Sequence, residues 1–326
     1  MIDLEGAMAT AVATAATARL EAPPNPWVGA VVVDDLGEVL ATGATSPPGG
    51  PHAEVVALSV AGARARGATL VVTLEPCAHT GRTPPCVEAI EAAGVARVVV
   101  GVTDPDPRVA GRGLDRLRAA GIEVVEGVGA PVVADQLAAY LTHRRTGRPY
   151  VVGKVAATLD GVVAAADGTS QWITGEAARA DAHRLRAESQ AILVGAGTVR
   201  ADDPRLRARL GERTFEPLRV VLGRAPASAR VRPCLERSGE LGPILDELGA
   251  LDVLQLLVEG GPHTLSRFVD EGLVDRLVWY VAPALAGPAG LPALVGLVTP
   301  TMESLRRGRL IAVTRLGEDV RLDVEV

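Results

Sequence analysis

Residues 49–58, GGPHAEVVAL, and residues 73–86, TLEPCAHTGRTPPC, decide how the rest of the chain is read. They supply one imidazole, two thiols and one spare carboxylate: His52, Cys77, Cys86 and Glu54. His52, Cys77 and Cys86 as three protein ligands leave a fourth tetrahedral position for water, the ligand count of a catalytic rather than a structural zinc. Such a metal lowers the pKa of its water, yet expelling ammonia still needs a proton carrier. Glu54, two residues after the histidine, is placed for that task. The competing reading is that all four are ordinary packed residues.

Around this stretch the pattern alternates. Residues 1–20 read as an amphipathic helix, and WVGAVVV (27–33) and EVLATG (38–43) flank an acidic turn as a β-hairpin. HAEVVALSVAGARARG (52–67) reads as a helix stopping at Gly67, which puts His52 and Glu54 in its first turn. TLVVTLE (69–75) is of strand length, and PPCVEAIEAAG (84–94) is a helix entered through proline, with Cys86 at its start. There the helix dipole would favour the Cys86 thiolate. ARVVVGV (96–102), GRGLDRLRAAG (111–121) and IEVVEGV (122–128) add strand, helix and strand, giving an α/β layer fold.

Length and composition set bounds. A chain of 326 residues can hold two cores, and with 48% hydrophobic but only 2% aromatic residues those cores must be built from Ala, Val and Leu. A net charge of −6 argues against a nucleic-acid groove. Cys234 is left without a partner, so no disulfide framework is expected and a reducing cytoplasm fits. The N-terminus opens with acids, the wrong polarity for a secretory signal. Residues 277–298 carry no charge, but Pro283, Pro288 and Pro292 interrupt them, so no membrane span is expected.

THRRTGRPY (142–150) reads as a linker, dividing the chain into domains 1–146 and 147–326. After it, PYVVGKVAATLDGVVA (149–164) reads as a strand pair about Asp160 and Gly161, followed by a helix from Glu176 through Arg186. SQAILVGAGTV (189–199) and VLQLLVEGGPHTLSRFVDEG (253–272) are strand, glycine and helix units, which offer backbone N–H groups to a phosphate. Ordinary turn chemistry explains such glycines equally well.

HxE with a downstream Pro-Cys and a second Cys is the zinc deaminase signature, except that eight residues rather than two separate Cys77 from Cys86. With PNPWVGAVVV (24–33), PHAEVVAL (51–58) and DPDPRVAGRG (104–113), that long interval resembles the bifunctional deaminase/reductase family of riboflavin biosynthesis. KVAATLDG (154–161), SQWIT (170–174), VRADDP (199–204) and VEGG (258–261) resemble its reductase half. The resemblance implies a cytidine deaminase-like three-layer α/β domain followed by a dihydrofolate reductase-like α/β domain that uses NADPH. It implies zinc on His52, Cys77 and Cys86, Glu54 as proton shuttle, Asn25 on the base, and Arg82, Asp104 and Asp106 in loops near the substrate.

In the second half it implies Lys154, Asp202 and Glu259 around the ribose and nicotinamide. Ser170, Arg186, Leu206 and Arg209 match the family's substrate contacts, and Ala156, Trp172, Thr198 and Gly261 its cofactor contacts. A turn residue is the competing reading for Asn25, and a core aromatic for Trp172. Lys154 inside an apolar strand needs a partner, which favours a cleft. The implied chemistry is hydrolytic loss of the 2-amino group from a diaminopyrimidinone ribosyl phosphate, then NADPH-dependent reduction of the ribosyl group to ribityl.

Several positions depart from the family pattern. Asp106 stands where Asn is common, Thr158 replaces Ser, Val162 replaces a basic residue, and the shortened interval from Gly223 to Leu256 suggests a missing strand. Arg224 follows strand LRVVL (218–222) where the family has an acid nearby, and it could clamp a 2′-phosphate or simply be a surface arginine. A homo-oligomer acting on a small molecule is expected, with neither nucleic acid nor membrane as partner. Two alternatives stay open: a deaminase with a silent C-terminal dimerisation or binding domain, and a nucleobase deaminase acting on RNA.

Overall fold

A computed structural model of the protein describes residues 2–81 and 83–326, so Arg82 lies outside the described residues. It divides into two compact units, Met1–Gly147 and Arg148–Val326.

The first unit runs α1 (Leu4–Ala16), β1 (Gly29–Val33), β2 (Val39–Ala44), α2 (Ala53–Ala61), β3 (Thr69–Leu74), α3 (Cys86–Ala93), β4 (Arg97–Val102), α4 (Arg112–Ala119), β5 (Glu123–Glu126), α5 (Ala130–Gln136) and α6 (Ala138–Thr146). Its five strands form one sheet in the order β2-β1-β3-β4-β5, with β1 antiparallel to β2 and β3, and β3, β4 and β5 parallel. Every residue of β1 and β3 is buried, as strands covered on both faces must be. Glycines let the helices close in: a Cβ at Gly29 would lie 2.0 Å from Ala11 O, and one at Gly43 would lie 2.4 Å from Ala53 O. Gly43 pairs with Ala30, the neighbour of Gly29, so these two approaches are from opposite faces and α1 and α2 sandwich the sheet. That is the expected three-layer arrangement, and the buried core is mostly Ala, Val and Leu.

Three local expectations need correction here. The helix after His52 stops at Ala61 and continues only as a 3₁₀ turn to Ala65, because Gly62 adopts φ +56°. His52 is the N-cap of α2 rather than a member of its first turn. The supposed linker is helical through Thr146: His143, Arg144 and Arg145 occupy the last turn of α6, where basic groups suit the helix dipole, and Tyr140 and His143 are buried.

The second unit contains β6 (Tyr150–Thr158), β7 (Val162–Ala164), α7 (Glu176–Ala187), β8 (Ala191–Gly195), α8 (Ala196–Asp202), β9 (Ala208–Leu210), β10 (Arg213–Phe215), β11 (Leu218–Leu222) and β12 (Leu235–Arg237). It continues with α9 (Leu241–Ala250), β13 (Gln255–Val258), α10 (Pro262–Asp270), β14 (Arg276–Ala282), β15 (Leu291–Pro292), β16 (Arg309–Leu316) and β17 (Asp319–Glu325). An eight-stranded sheet has the order β12-β11-β8-β13-β6-β14-β17-β16, parallel from β12 to β14 and antiparallel beyond.

One expectation fails in this unit. The Asp160–Gly161 turn forms, with Gly161 N donating to Thr158 O, but β6 and β7 do not pair with each other. β6 takes β13 and β14 as parallel neighbours, while β7 pairs with β15. The interval from Gly223 to Leu256 holds β12 and α9, and β12 pairs in parallel with β11. Among the described residues no helix is long and apolar enough to cross a membrane.

Candidate active site

In the first unit, His52 caps α2 after the Gly/Pro loop, Cys77 follows the buried end of β3, and Cys86 opens α3. Their donor atoms, the imidazole nitrogen and two sulfurs, all lie within 4.8 Å of one another. His52 Nδ1 is 3.1 Å from Cys86 Sγ and 3.7 Å from Cys77 Sγ. Tetrahedral zinc with ordinary bond lengths would set nitrogen and sulfur about 3.5 Å apart, so this donor set fits that metal in both chemistry and spacing. Thr83 Oγ1 lies 3.4 Å from His52 Nε2, a partner that would hold the Nε2–H tautomer and leave Nδ1 for the metal. Glu54 is 4% exposed and is not one of the clustered donors.

The electrostatics follow from packing ionisable groups this tightly. Burial raises the Glu54 carboxyl, against the opposing pull of His52. A hydrogen bond with Cys77 raises His52, with burial opposing it. Without metal the thiols divide their roles: the hydrogen bond from Cys86 lowers Cys77 to about 4, and the same bond together with burial raises Cys86. The start of α3 serves the other sulfur, since Cys86 N donates to Cys77 Sγ at 3.4 Å.

Asn25 sits half-buried in a turn, its N–H bonded to Ala22 O at 2.9 Å. Asp104 and Asp106 lie beyond β4, both buried. Asp104 accepts from Asp106 N and from the Tyr140 hydroxyl, each at 2.9 Å, while Asp106 is bidentate with Arg108, which holds it down at about 2. The sequence reading passed over Glu75 and Tyr140, which organise this loop. An acid ending the otherwise apolar strand TLVVTLE was the available signal for Glu75; nothing local marked Tyr140.

In the second unit, the candidate residues collect near the carboxyl ends of the parallel strands, where open α/β sheets bind ligands. Lys154 and Ala156 lie on β6, Glu259 and Gly261 follow β13, Thr198 lies on α8 after β8, and Arg224 follows β11. Glu259 is bidentate with Arg186 at 2.8 and 2.6 Å. Burial by itself would raise Glu259, but the charges of Arg186 and Lys154 outweigh it and hold the carboxyl at about 2. Burial lowers Lys154, with Glu259 opposing. The opposite charge that an apolar strand lysine needs is thus supplied by Glu259 through its electrostatic influence.

Gly261 N donates to Thr198 Oγ1 at 3.0 Å, joining the starts of α8 and α10, and a Cβ at Gly197 would face open space. Backbone can therefore be approached closely there, as a dinucleotide requires. Arg224 is exposed and lines a cavity of about 560 Å³ with Ala225, Ala227, Arg232 and Glu236. Trp172 is 71% exposed with the Arg179 guanidinium 4.8 Å from its ring centre, so it is not a core aromatic. Ser170 is half-buried, Asp202 ends α8 exposed, and Leu206 is buried with φ +52°. Arg209 is exposed on β9 and its N–H reaches His183 Nδ1 at 3.3 Å.

A soft three-donor cluster beside a buried carboxyl is what a zinc-dependent deaminase needs, and the second sheet adds a separate reductase, so fold and site define a two-domain enzyme. Family models agree: the cytidine and deoxycytidylate deaminase zinc-binding region matches residues 1–102, and the RibD C-terminal domain matches residues 149–322. The chain belongs to the RibD family and is a bifunctional deaminase and reductase of riboflavin biosynthesis, with zinc and NADPH as cofactors. It is 46% identical over 312 residues to riboflavin biosynthesis protein RibD of Mycobacterium tuberculosis, covering 92% of this chain and 91% of that protein. RibD of Escherichia coli is 41% identical over 334 residues, covering 89% and 91%. Acinetobacter baumannii RibD superposes with a TM-score of 0.91 at 38% identity, covering 99% of this chain and 98% of that one. A Thermotoga maritima deaminase/reductase, titled for diaminohydroxyphosphoribosylaminopyrimidine and 5-amino-6-(5-phosphoribosylamino)uracil, gives 0.88 at 34% identity, again covering 99% and 98%. Both halves carry the family's domains, which disfavours a deaminase with a silent second half.

Proposed function

We propose that the protein deaminates 2,5-diamino-6-ribosylamino-4(3H)-pyrimidinone 5′-phosphate and then reduces the ribosyl side chain to ribityl with NADPH. The observation that carries this reading is the His52, Cys77, Cys86 cluster with the buried Glu54 beside it, on a chain whose second unit matches the family's reductase domain. Zinc, when bound, supplies Lewis acidity and lowers the pKa of its water. His52 Nδ1 and the two sulfurs would hold it. Glu54, kept out of the ligand set, would take a proton at a carboxylate oxygen and pass it to the amino nitrogen; burial raises its pKa in the direction that task requires. Asn25, Arg82, Asp104 and Asp106 are assigned to the substrate on this side.

In the reductase we assign Lys154, Asp202 and Glu259 to the ribose and nicotinamide region. Ser170, Arg186, Leu206 and Arg209 are assigned to the substrate, and Ala156, Trp172, Thr198, Arg224 and Gly261 to NADPH. Glu259 holds Arg186 through two hydrogen bonds, and the charges of Arg186 and Lys154 keep its carboxyl low. Incubating the purified protein with the diaminopyrimidine phosphate, with and without NADPH, and weighing the products tests both halves. Absence of any deaminated product would overturn the reading.

Arg224 carries a separate expectation, since it is exposed on an open surface depression that Arg232 also lines. Arg232 is already committed to Glu236 at 2.5 Å, which leaves Arg224 as the cation for a 2′-phosphate. Arg224→Ala should weaken NADPH about tenfold to hundredfold and leave NADH nearly unchanged. Equal effects in a cofactor titration would return Arg224 to the solvent.

We also propose a homo-oligomer in a reducing cytoplasm. β16 ends the eight-stranded sheet as an exposed edge, with Leu310 56% and Val313 59% exposed, and such edges invite a second chain. A single monomeric species in sedimentation would remove that part. The reducing compartment is proposed because Cys77 and Cys86 must stay thiols to bind metal; recovery outside the cytoplasmic fraction would contradict it.

A further inference from the structure

Glu75 directly follows β3 and precedes the Pro76–Cys77 pair, and it is only 4% exposed. Its side chain is not among the clustered metal donors. Both of its oxygens accept backbone N–H groups from one loop: Oε2 from Asp104 at 3.2 Å and Gly111 at 2.9 Å, and Oε1 from Gly113 at 3.0 Å. That loop, residues 104–113, leads from β4 into α4. It lies directly on the cysteine segment, since a Cβ at Gly113 would come 2.0 Å from Pro76 O.

The loop is not relaxed by its own chemistry. Ala110 is held at φ +30°, a region that L residues rarely adopt, and Gly111 is at φ +86°. Without the Glu75 side chain, three backbone donors would lose their acceptor, and a buried N–H left without one is costly. The connection continues outward: Asp104, whose N–H Glu75 receives, itself accepts from Asp106 N and Tyr140 Oη.

We propose that Glu75 is a positioning residue of the deaminase. It clamps the 104–113 loop against the Cys77 end of the site, so that the wall carrying Asp104 and Asp106 is preformed when the pyrimidine arrives. It acts on substrate binding rather than on the metal or the proton. This rests on the deaminase function proposed above.

Glu75→Gln tests it, because the amide keeps one acceptor oxygen but turns an NH₂ group towards an N–H donor, and at least one of the three bonds is lost. The expected result is wild-type zinc content and near wild-type kcat, with KM for the diaminopyrimidine phosphate raised about tenfold to hundredfold. Trypsin should also cut faster after Arg108 and Arg112, a readout that needs no substrate. Glu75→Asp, which keeps the charge but shortens the reach, should fall between Gln and wild type in both measurements. Unchanged KM and unchanged tryptic protection in a folded Gln variant would overturn the proposal. So would zinc loss with the loop still protected, which would place the effect on Cys77, or unfolding of both variants by circular dichroism, which would make Glu75 a stability residue. If the wild-type protein fails to deaminate, the deaminase reading falls, while the proteolysis comparison still decides whether the clamp exists.

Discussion

Glu54→Gln protein is expected to retain zinc and to lose deamination by a factor of about 10² to 10⁴, the usual contribution of a positioned acid–base group. Gln matches Glu in size, so the 4% exposed pocket need not repack. The amide can still donate and accept hydrogen bonds, but it cannot take up a proton and release it to a leaving amine. The metal should stay because His52, Cys77 and Cys86 form the donor cluster without Glu54. Cys77→Ser is the contrasting arm: a hydroxyl is a poor zinc ligand, so metal and deamination should disappear together. Zinc measured per chain, beside the deamination rate, separates the two behaviours. Stoichiometric loss of zinc from the Gln variant would make Glu54 a ligand. Reduction of the already deaminated intermediate by NADPH should survive in both variants, because the two units have separate sheets and cores.

The deaminase site was legible because its chemistry is local. A histidine, a carboxylate two residues on, and two cysteines flanking a proline-rich loop put rare residue types at short spacings, and the α/β layer brought their atoms within 4.8 Å. Glu75 was not legible as a clamp, since its three donors come from residues 104–113, beyond α3 and β4. The same non-locality explains β6. A turn at Asp160–Gly161 suggests a hairpin, yet β6 is better satisfied between β13 and β14, partners about a hundred residues away in parallel register. Composition misled at residues 142–146, where charge suggested a connector; Tyr140 and His143 face inward and the arginines complete a helix.

The other large effect belongs to Arg186 in the reductase. Arg186→Ala would leave the Glu259 side chain, 6% exposed, without its hydrogen-bonded cation and with only the more indirect influence of Lys154 and His183. Breaking a buried pair from one side costs about 3–5 kcal/mol, because the remaining charge is stranded away from water. The urea transition of the second unit should fall accordingly, with NADPH-dependent reduction lost and deamination kept. Acid gives the same argument a sign. Glu259 is held at about 2, below its ordinary unfolded value, so the pair's stabilisation is complete above about 4.3 and is lost as pH falls towards 2. Without Arg186 the carboxyl should rise, and the acid-induced loss should move to higher pH. The triple variant Lys154→Met, Arg186→Met and Glu259→Leu separates structure from chemistry, since apolar replacements of a whole buried charge cluster are often neutral or stabilising where a single deletion is not. Stability should return while reduction stays absent. If Arg186→Ala changed neither the urea midpoint nor reduction, the pair would be a dispensable contact, and the assignments of Arg186 to the substrate and of Glu259 to the ribose and nicotinamide region would fall with it.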